Sequence, residues 1–227
     1  MKSLKVEYQK LITEQRWDID YHLPPIEISK YSNSILHSIE SCADIVTEKR
    51  SPTLEPDKMF TYIDISSIDV TTGTITNPQE LIGEEAPSRA RKVVRAGDII
   101  ISTCRPTRGA IAIVPLEMDN QICSTGFSVI RVHNNINNCY LHFILRSEVV
   151  KEQFRKFSTG SSYPAILDDD VKKTIIPLPN KSIQDEIARN VIEQTEIRNN
   201  KIIQANEIWQ DKLVECLVKI KNIGAEH

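Results

Sequence analysis

Arg105 and Arg108 stand three residues apart with Thr107 between them, in the run Thr103-Cys104-Arg105-Pro106-Thr107-Arg108-Gly109. A guanidinium offers its N–H donors as a planar fork that matches paired oxygen or nitrogen acceptors, and a hydroxyl adds a donor that rotates to suit. Pro106 limits the freedom of this loop, and Gly109 supplies a turn. The stretch around it is rich in cations: Arg89, Arg91, Lys92, Arg95, Arg131, Arg146, Lys151, Arg155 and Lys156 also lie between Ala86 and Lys156. With both loop arginines that makes eleven basic residues against five acids, a local charge of +6 in a chain whose net charge is -3. Attraction to phosphate acts over a Debye length of about 8–10 Å, so this clustering outweighs the whole-chain total. The alternative is an ordinary solvated surface.

Other chemistries find no support. Five cysteines, Cys42, Cys104, Cys123, Cys139 and Cys216, are odd in number and widely spaced, which speaks against a disulfide framework and against a Cys-x-x-Cys site. His133, Cys139 and His142 can be drawn together as metal ligands, but Cys139 and His142 sit in an apolar helical run without a fourth donor nearby. With only seven glycines the chain has no phosphate-cradling Gly-rich loop. Asn77-Pro78-Gln79-Glu80 resembles the amino-methylase Asn-Pro-Pro-Tyr motif but lacks its second proline and aromatic, so it reads as a turn. Pro56-Asp57 is not followed by a nuclease-type Glu-x-Lys, and no serine has a nucleophile-elbow context. The sequence predicts neither catalysis, nor a metal, nor a cofactor. No run of about 18 apolar residues or signal-type apolar core occurs, so no membrane is expected and cytoplasm is the default.

The elements that must carry the loop follow from hydrophobic period. Residues 2–15 space Leu4, Tyr8, Leu11 and Ile12 on a helical face, and Pro24-Pro25 end that region in an extended path. A short helix is expected over Ile35–Ile39, then a loop from Thr47 to Asp57. Strands are expected at Tyr62–Ile65, after Thr72-Gly73, at Ile99–Ser102, at Gly109–Val114 and at Gly126–Val132. A helical pair follows from Tyr140 to Phe157, then the polar loop Ser158-Thr159-Gly160-Ser161-Ser162-Tyr163-Pro164 with its one aromatic, a helical turn over Ile166–Lys173, and a last strand.

At Thr174-Ile175-Ile176-Pro177-Leu178-Pro179 that strand stops at paired prolines, and a helix begins that runs to about Ile220. Ser182 and Asp185 are placed like a capping box. Ala188, Ile192, Thr195, Asn199, Ile202, Asn206, Trp209, Leu213, Cys216 and Ile220 recur in alternating steps of four and three, the period of a coiled-coil seam. At 1.5 Å per residue that frame is about 50 Å long.

Six short runs in order resemble the specificity subunit of type I restriction–modification systems: Arg95-Ala96-Gly97-Asp98-Ile99-Ile100-Ile101-Ser102, Arg108-Gly109-Ala110, Tyr140-Leu141, Thr159-Gly160-Ser161-Ser162-Tyr163-Pro164-Ala165-Ile166, Ile176-Pro177-Leu178-Pro179 and Gln184-Asp185-Glu186-Ile187. A weaker likeness continues upstream at Arg16-Trp17-Asp18-Ile19-Asp20-Tyr21. The resemblance implies a target-recognition domain that grips double-stranded DNA, followed by a spacer helix. It implies work beside a separate adenine-N6 methyltransferase subunit and a motor-nuclease subunit, which hold the catalysis. Members of this family usually carry two such halves, whereas this sequence carries one. That implies a half-subunit which forms a homodimer or pairs with a second half, or else a piece of a larger specificity subunit.

The expected architecture is therefore α+β: a mixed, largely antiparallel β-rich target-recognition domain with flanking helices, then one long C-terminal helix of coiled-coil type. Its divisions are 1–40, a helical and extended segment on the head; 41–179, the recognition domain; 180–222, the spacer helix; and 223–227, a flexible tail. Arg105 and Arg108, with Thr107, suit base readout, and guanine O6 and N7 are the commonest arginine targets. Arg89, Arg91 and Lys92 suit phosphate clamping, which positions without specifying. Ser161, Ser162 and Tyr163 suit contacts to backbone or base edges. Ile192, Ile202, Asn206, Trp209, Leu213 and Ile220 are the expected helix-pairing residues. The competing reading is a protein-interaction or oligomerisation module without DNA readout.

Overall fold

The computed structural model describes residues 5–17, 19–23, 25–159 and 163–224, with only the backbone of residues 10, 19, 20 and 222–224. Helices α1 (Tyr8–Glu14) and α2 (Ile19–His22) come first. Short strands β1 (Leu36–Ser38) and β2 (Ala43–Ile45) follow, then β3 (Met59–Ile63), β4 (Ile68–Asp69), β5 (Thr74–Ile75) and β6 (Gln79–Ile82). Next come β7 (Ala90–Val94), β8 (Ile99–Ser102), β9 (Ile111–Ile113), β10 (Gln121–Ser124) and β11 (Phe127–Val132). The chain finishes with α3 (Asn138–Leu145), α4 (Glu148–Phe157), α5 (Asp168–Lys173), β12 (Ile175–Pro177) and α6 (Lys181–Gly224). The fold is α+β with antiparallel-rich sheets and a long C-terminal helix.

Two four-stranded sheets form the head, in the orders β6-β3-β10-β7 and β2-β11-β8-β9. The second is antiparallel throughout, and the first contains one parallel pair, β3 with β10. One apolar cluster joins Ile63, Val94 and Cys123 of the first sheet to Ile100, Ala112, Phe127 and Val129 of the second. The other face of the first sheet packs Phe60, Tyr62, Val93 and Ile122 with Leu81 and Ala86. Within β3 the two clusters are separated by the period-2 alternation of a strand: Phe60 and Tyr62 face one way and Ile63 the other. Ile99, Ile100 and Ile101 of β8 are all fully buried, as a β-branched run in a central strand should be.

Three expectations are corrected. The segment 35–39 is β1 between two 3₁₀ turns rather than a helix, because Leu36, His37 and Ser38 pair antiparallel with Pro177, Ile176 and Ile175. A sheet ladder satisfies these backbone groups where so short a helix would not nucleate. Strands β2, β4, β6, β7 and β10 have no counterpart among the strands expected from the hydrophobic pattern. The cap of α6 is Asn180 rather than Ser182: its Oδ1 accepts from the Ile183 N–H at 3.1 Å.

The chain divides into compact units after Asp185. Within the first unit the opening turn of α6 is tied down by side chains. Asn137 N–H donates to Gln184 Oε1 at 3.0 Å, and its Nδ2 to Asp185 Oδ1 at 2.6 Å. Tyr140 donates its hydroxyl hydrogen to the Pro177 carbonyl at 2.7 Å. Buried Gln153 acts as a surrogate strand for β12, donating to Ile175 O at 2.7 Å and accepting from Ile175 N at 2.8 Å.

Candidate nucleic-acid interface

The loop that joins β8 to β9 leaves a rigid strand and is fixed at its backbone. Ser102 Oγ donates to the Cys104 carbonyl at 2.7 Å, and Thr103 gives both its N–H and its hydroxyl to Gly126 O at 2.9 Å. Two further bonds reach the segment after the polar loop: Ile166 N–H to Thr103 O at 3.0 Å, and Arg105 N–H to Pro164 O at 2.7 Å. Pro106, buried, then opens a 3₁₀ turn to Arg108, and Gly109 leaves that turn at φ 77°. Arg105 itself sits at φ 49°, ψ 52°. A residue with a Cβ rarely adopts this left-handed conformation unless its surroundings enforce it. The guanidinium of Arg105 lies 4.7 Å from the centroid of the Tyr163 ring.

Across from the loop stands the β4–β5 hairpin. Asp69 organises its turn by accepting from Thr72 Oγ1 and from Thr71 N, both at 2.8 Å, and these bonds hold its carboxyl below the usual range. Arg146 of α3's C-terminus clamps the same turn from behind, donating to Thr72 O at 2.8 Å, Thr71 O at 2.7 Å and Val70 O at 3.1 Å. Gly73, at φ 73°, leaves room for that clamp, since a Cβ there would lie 2.7 Å from the guanidinium. Between hairpin and loop runs a cleft of about 410 Å³. Ile65, Ile68, Val70 and Ala110 make its walls apolar, and Arg105, Arg108 and Tyr163 bring polar groups to it.

The basic stretch separates into engaged and unengaged side chains. Arg131 gives both arms of its fork to Asp98, at 2.8 and 2.9 Å, and Asp98 is only 1% exposed. That bonded carboxylate raises the arginine's pKa still further. Arg95 meets Glu48 at 3.0 Å, and Lys151 meets Glu148 at 3.3 Å. Lys92, nearly buried, donates to the Phe127 carbonyl at 2.6 Å and lies 3.6 Å from Asp168. Arg91 bonds Ser51 Oγ and the Ser88 carbonyl, and Lys156 bonds the Leu23 carbonyl. Among the described residues, Arg89, Arg105, Arg108 and Arg155 make no side-chain hydrogen bond or ion pair. Helix α4, which carries Arg155, packs against the Pro106–Arg108 turn.

Of the residues that the sequence nominates for this interface, the structure thus brings together Arg105, Arg108 and Tyr163. Thr107 is half-buried within the same turn. Arg89 is exposed ahead of β7, while Arg91 and Lys92 are held by the protein itself. Ser161 and Ser162 lie outside the described residues. The hairpin wall escapes sequence reasoning: Asp69-Val70-Thr71-Thr72-Gly73 shows a turn, but nothing in that run says which loop it will face. His133 meets Asp44 at 3.1 Å, whereas half-buried His142 donates to the Ile111 carbonyl at 3.1 Å. Burial pushes the His142 pKa down to about 4.

In the second unit, Ile192, Ile202, Trp209, Leu213 and Ile220 of α6 are exposed, as is Asn206. So are Ile203, Val214, Leu217 and Val218, which widen the apolar band beyond the four-three frame. No helix among the described residues is long and apolar enough to cross a membrane.

Residues 43–207 match the family model of the type I restriction modification DNA specificity domain, well over half of the chain. The chain belongs to this family. This specificity-family chain is 31% identical over 126 residues to the HindI type I restriction enzyme specificity subunit of Haemophilus influenzae, an alignment covering 52% of this chain and 28% of that one. It is 40% identical to the HsdS subunit of Thermoanaerobacter tengcongensis, with a TM-score of 0.66 over 75% of this chain and 44% of the other. A chain from a structural study of complex assembly and conformational transition of the type I R-M system gives 40% identity and a TM-score of 0.67 over the same shares. The chain thus spans less than half the length of these relatives.

Proposed function

We propose that the head reads the sequence of duplex DNA as half of a type I specificity subunit. The observation that carries this reading is a convergence: in a DNA specificity-family chain, Arg105 and Arg108, their side chains free of hydrogen bonds and ion pairs among the described residues, meet Tyr163 at one cleft, while Arg91, Lys92 and Arg131 of the same basic stretch are held internally. Arg105 and Arg108 donate to base edges, guanine O6 and N7 foremost. Arg89 and Arg155 attract phosphate and set orientation. The exposed apolar band of α6 pairs with the equivalent helix of a second half, in a homodimer or a longer subunit, where buried Asn206 fixes register. The assembled reader positions a separate adenine-N6 methyltransferase subunit and, through the complex, a motor-nuclease subunit on cytoplasmic DNA. No catalytic step is assigned to this chain.

A gel-shift titration of the purified protein with a mixed duplex pool tests the DNA reading. Binding is expected to weaken steeply with salt, with a logarithmic slope of about -0.9 per phosphate neutralised. No shift at low salt would leave the protein-interaction module in its place. Light scattering after truncation at Pro179 tests the pairing, and an unchanged oligomeric state would remove it.

A further inference from the structure

Resting on that DNA reading, we propose that Tyr163 is a positioning residue for Arg105, holding its guanidinium in one orientation, and that Arg108 reads its base without such support.

Tyr163 is 70% exposed, and its hydroxyl makes no hydrogen bond among the described residues. Neither core burial nor a polar anchor accounts for an aromatic ring at this place. What the ring touches is the Arg105 guanidinium, at 4.7 Å from the centroid, the distance of a cation–π contact. Two backbone features place the ring there: Arg105 N–H donates to Pro164 O at 2.7 Å, and Cys104 pairs antiparallel with Ala165.

Those ties also hold Arg105 in its left-handed conformation. The residue is therefore fixed at both ends: at the backbone by the segment after the polar loop, and at the guanidinium by the ring on that segment. A free arginine side chain loses rotamer freedom when it forms a two-pronged hydrogen bond, and one already held against a ring loses less. Arg108 is exposed in the same turn and, among the described residues, makes no cation–ring contact. The two arginines are thus unequal readers, one pre-oriented and one adaptable. A ring that itself stacked on bases would act differently, because every base offers a π-face and the effect would not favour one base pair.

The test is selection from a randomised duplex library by the full chain, followed by sequencing, for the wild type, Arg105→Ala, Arg108→Ala, Tyr163→Ala, Tyr163→Phe and the Arg105→Ala/Tyr163→Ala double variant. The wild type should enrich a motif, and Arg105→Ala should abolish a guanine preference at one position. Tyr163→Ala should relax that same position by about two- to five-fold, the worth of an exposed cation–π contact. Other positions should stay as they are. Tyr163→Phe, which keeps the ring, should restore the preference, and the double variant should match Arg105→Ala alone. The inference fails if Tyr163→Ala leaves that position unchanged, relaxes a different position, or weakens all positions alike. Enrichment of no motif by the wild type would instead overturn the DNA reading, and the inference with it. Nitrogen-15 NMR of the free protein checks the contact independently: the Arg105 Nε–H resonance should lose its ring-current shift in Tyr163→Ala and keep it in Tyr163→Phe.

Discussion

The two ends of β8 use arginine in opposite ways. At its N-terminal end, buried Asp98 takes both arms of Arg131 and the Arg95 backbone N–H, so every strong group has an internal partner. At its C-terminal end the backbone of residues 102–105 is tied to its surroundings while Arg105 and Arg108 keep their donors for something outside. The difference teaches that a cluster of positive charge in sequence is a mixture. What sorts it is whether a buried carboxylate or carbonyl lies within reach of each side chain.

Breaking the engaged end should have the largest effect. Arg131→Ala leaves the Asp98 carboxylate buried with its main partner gone, and urea unfolding should show a loss of about 2–4 kcal/mol. The same variant, assayed where it is folded, should keep its sequence preference. A related loss should appear with acid. His142 has a folded pKa of about 4 against an ordinary 6.5, so the folded state binds fewer protons. Its contribution is complete above pH 6.5 and is lost as pH falls toward 4, by up to about 3 kcal/mol. Urea titrations at pH 7 and pH 4.5 should show that loss, and His142→Gln should flatten it.

The unengaged end predicts the reverse pattern. Arg108→Ala should leave the melting temperature unchanged and cost about 1–3 kcal/mol of discrimination at a single base pair, measured by competition binding. Lys92→Ala sharpens the comparison, because in sequence Lys92 looks like a phosphate clamp. With the Phe127 carbonyl left without its donor, stability should fall by about 1 kcal/mol and the salt dependence of binding should not change. The smallest effect is expected from Arg89→Ala: a uniform weakening across sequences, with the logarithmic salt slope reduced by about one.

Much of the head is legible in its residues alone. Ile99-Ile100-Ile101 announces a central buried strand, Pro177 and Pro179 announce the break before α6, and Pro106 with Gly109 announces a constrained loop. Strands β6 and β10 are not legible, because Gln79-Glu80-Leu81-Ile82 and Gln121-Ile122-Cys123-Ser124 are too short and too polar at one end for alternation to stand out. Leu36-His37-Ser38 misleads for a related reason, since its partner lies about 140 residues away and no local pattern reports a long-range ladder. At the site, residue type identifies Arg105, Arg108 and Tyr163 as candidates. It does not separate them from Lys92 or Arg91, since that distinction depends on which carbonyls and hydroxyls the fold brings alongside.

The pairing of β1 with β12 has a consequence for how this head can be handled as a piece of protein. Leu36 and Pro177 are opposite partners in an antiparallel ladder, so their Cα atoms stand only about 5 Å apart. The intervening polypeptide leaves from and returns to nearly the same point, like a bead whose string enters and leaves by one hole. Joining those two ends with a few residues would close the head into a ring at little entropic cost, and new termini could then be opened at an exposed loop. A replacement of equal end spacing would keep the chain ends in place at this ladder, and it would also have to supply the contacts that Asn137 makes with Gln184 and Asp185 and that Glu152 makes with Ile26 and Glu27.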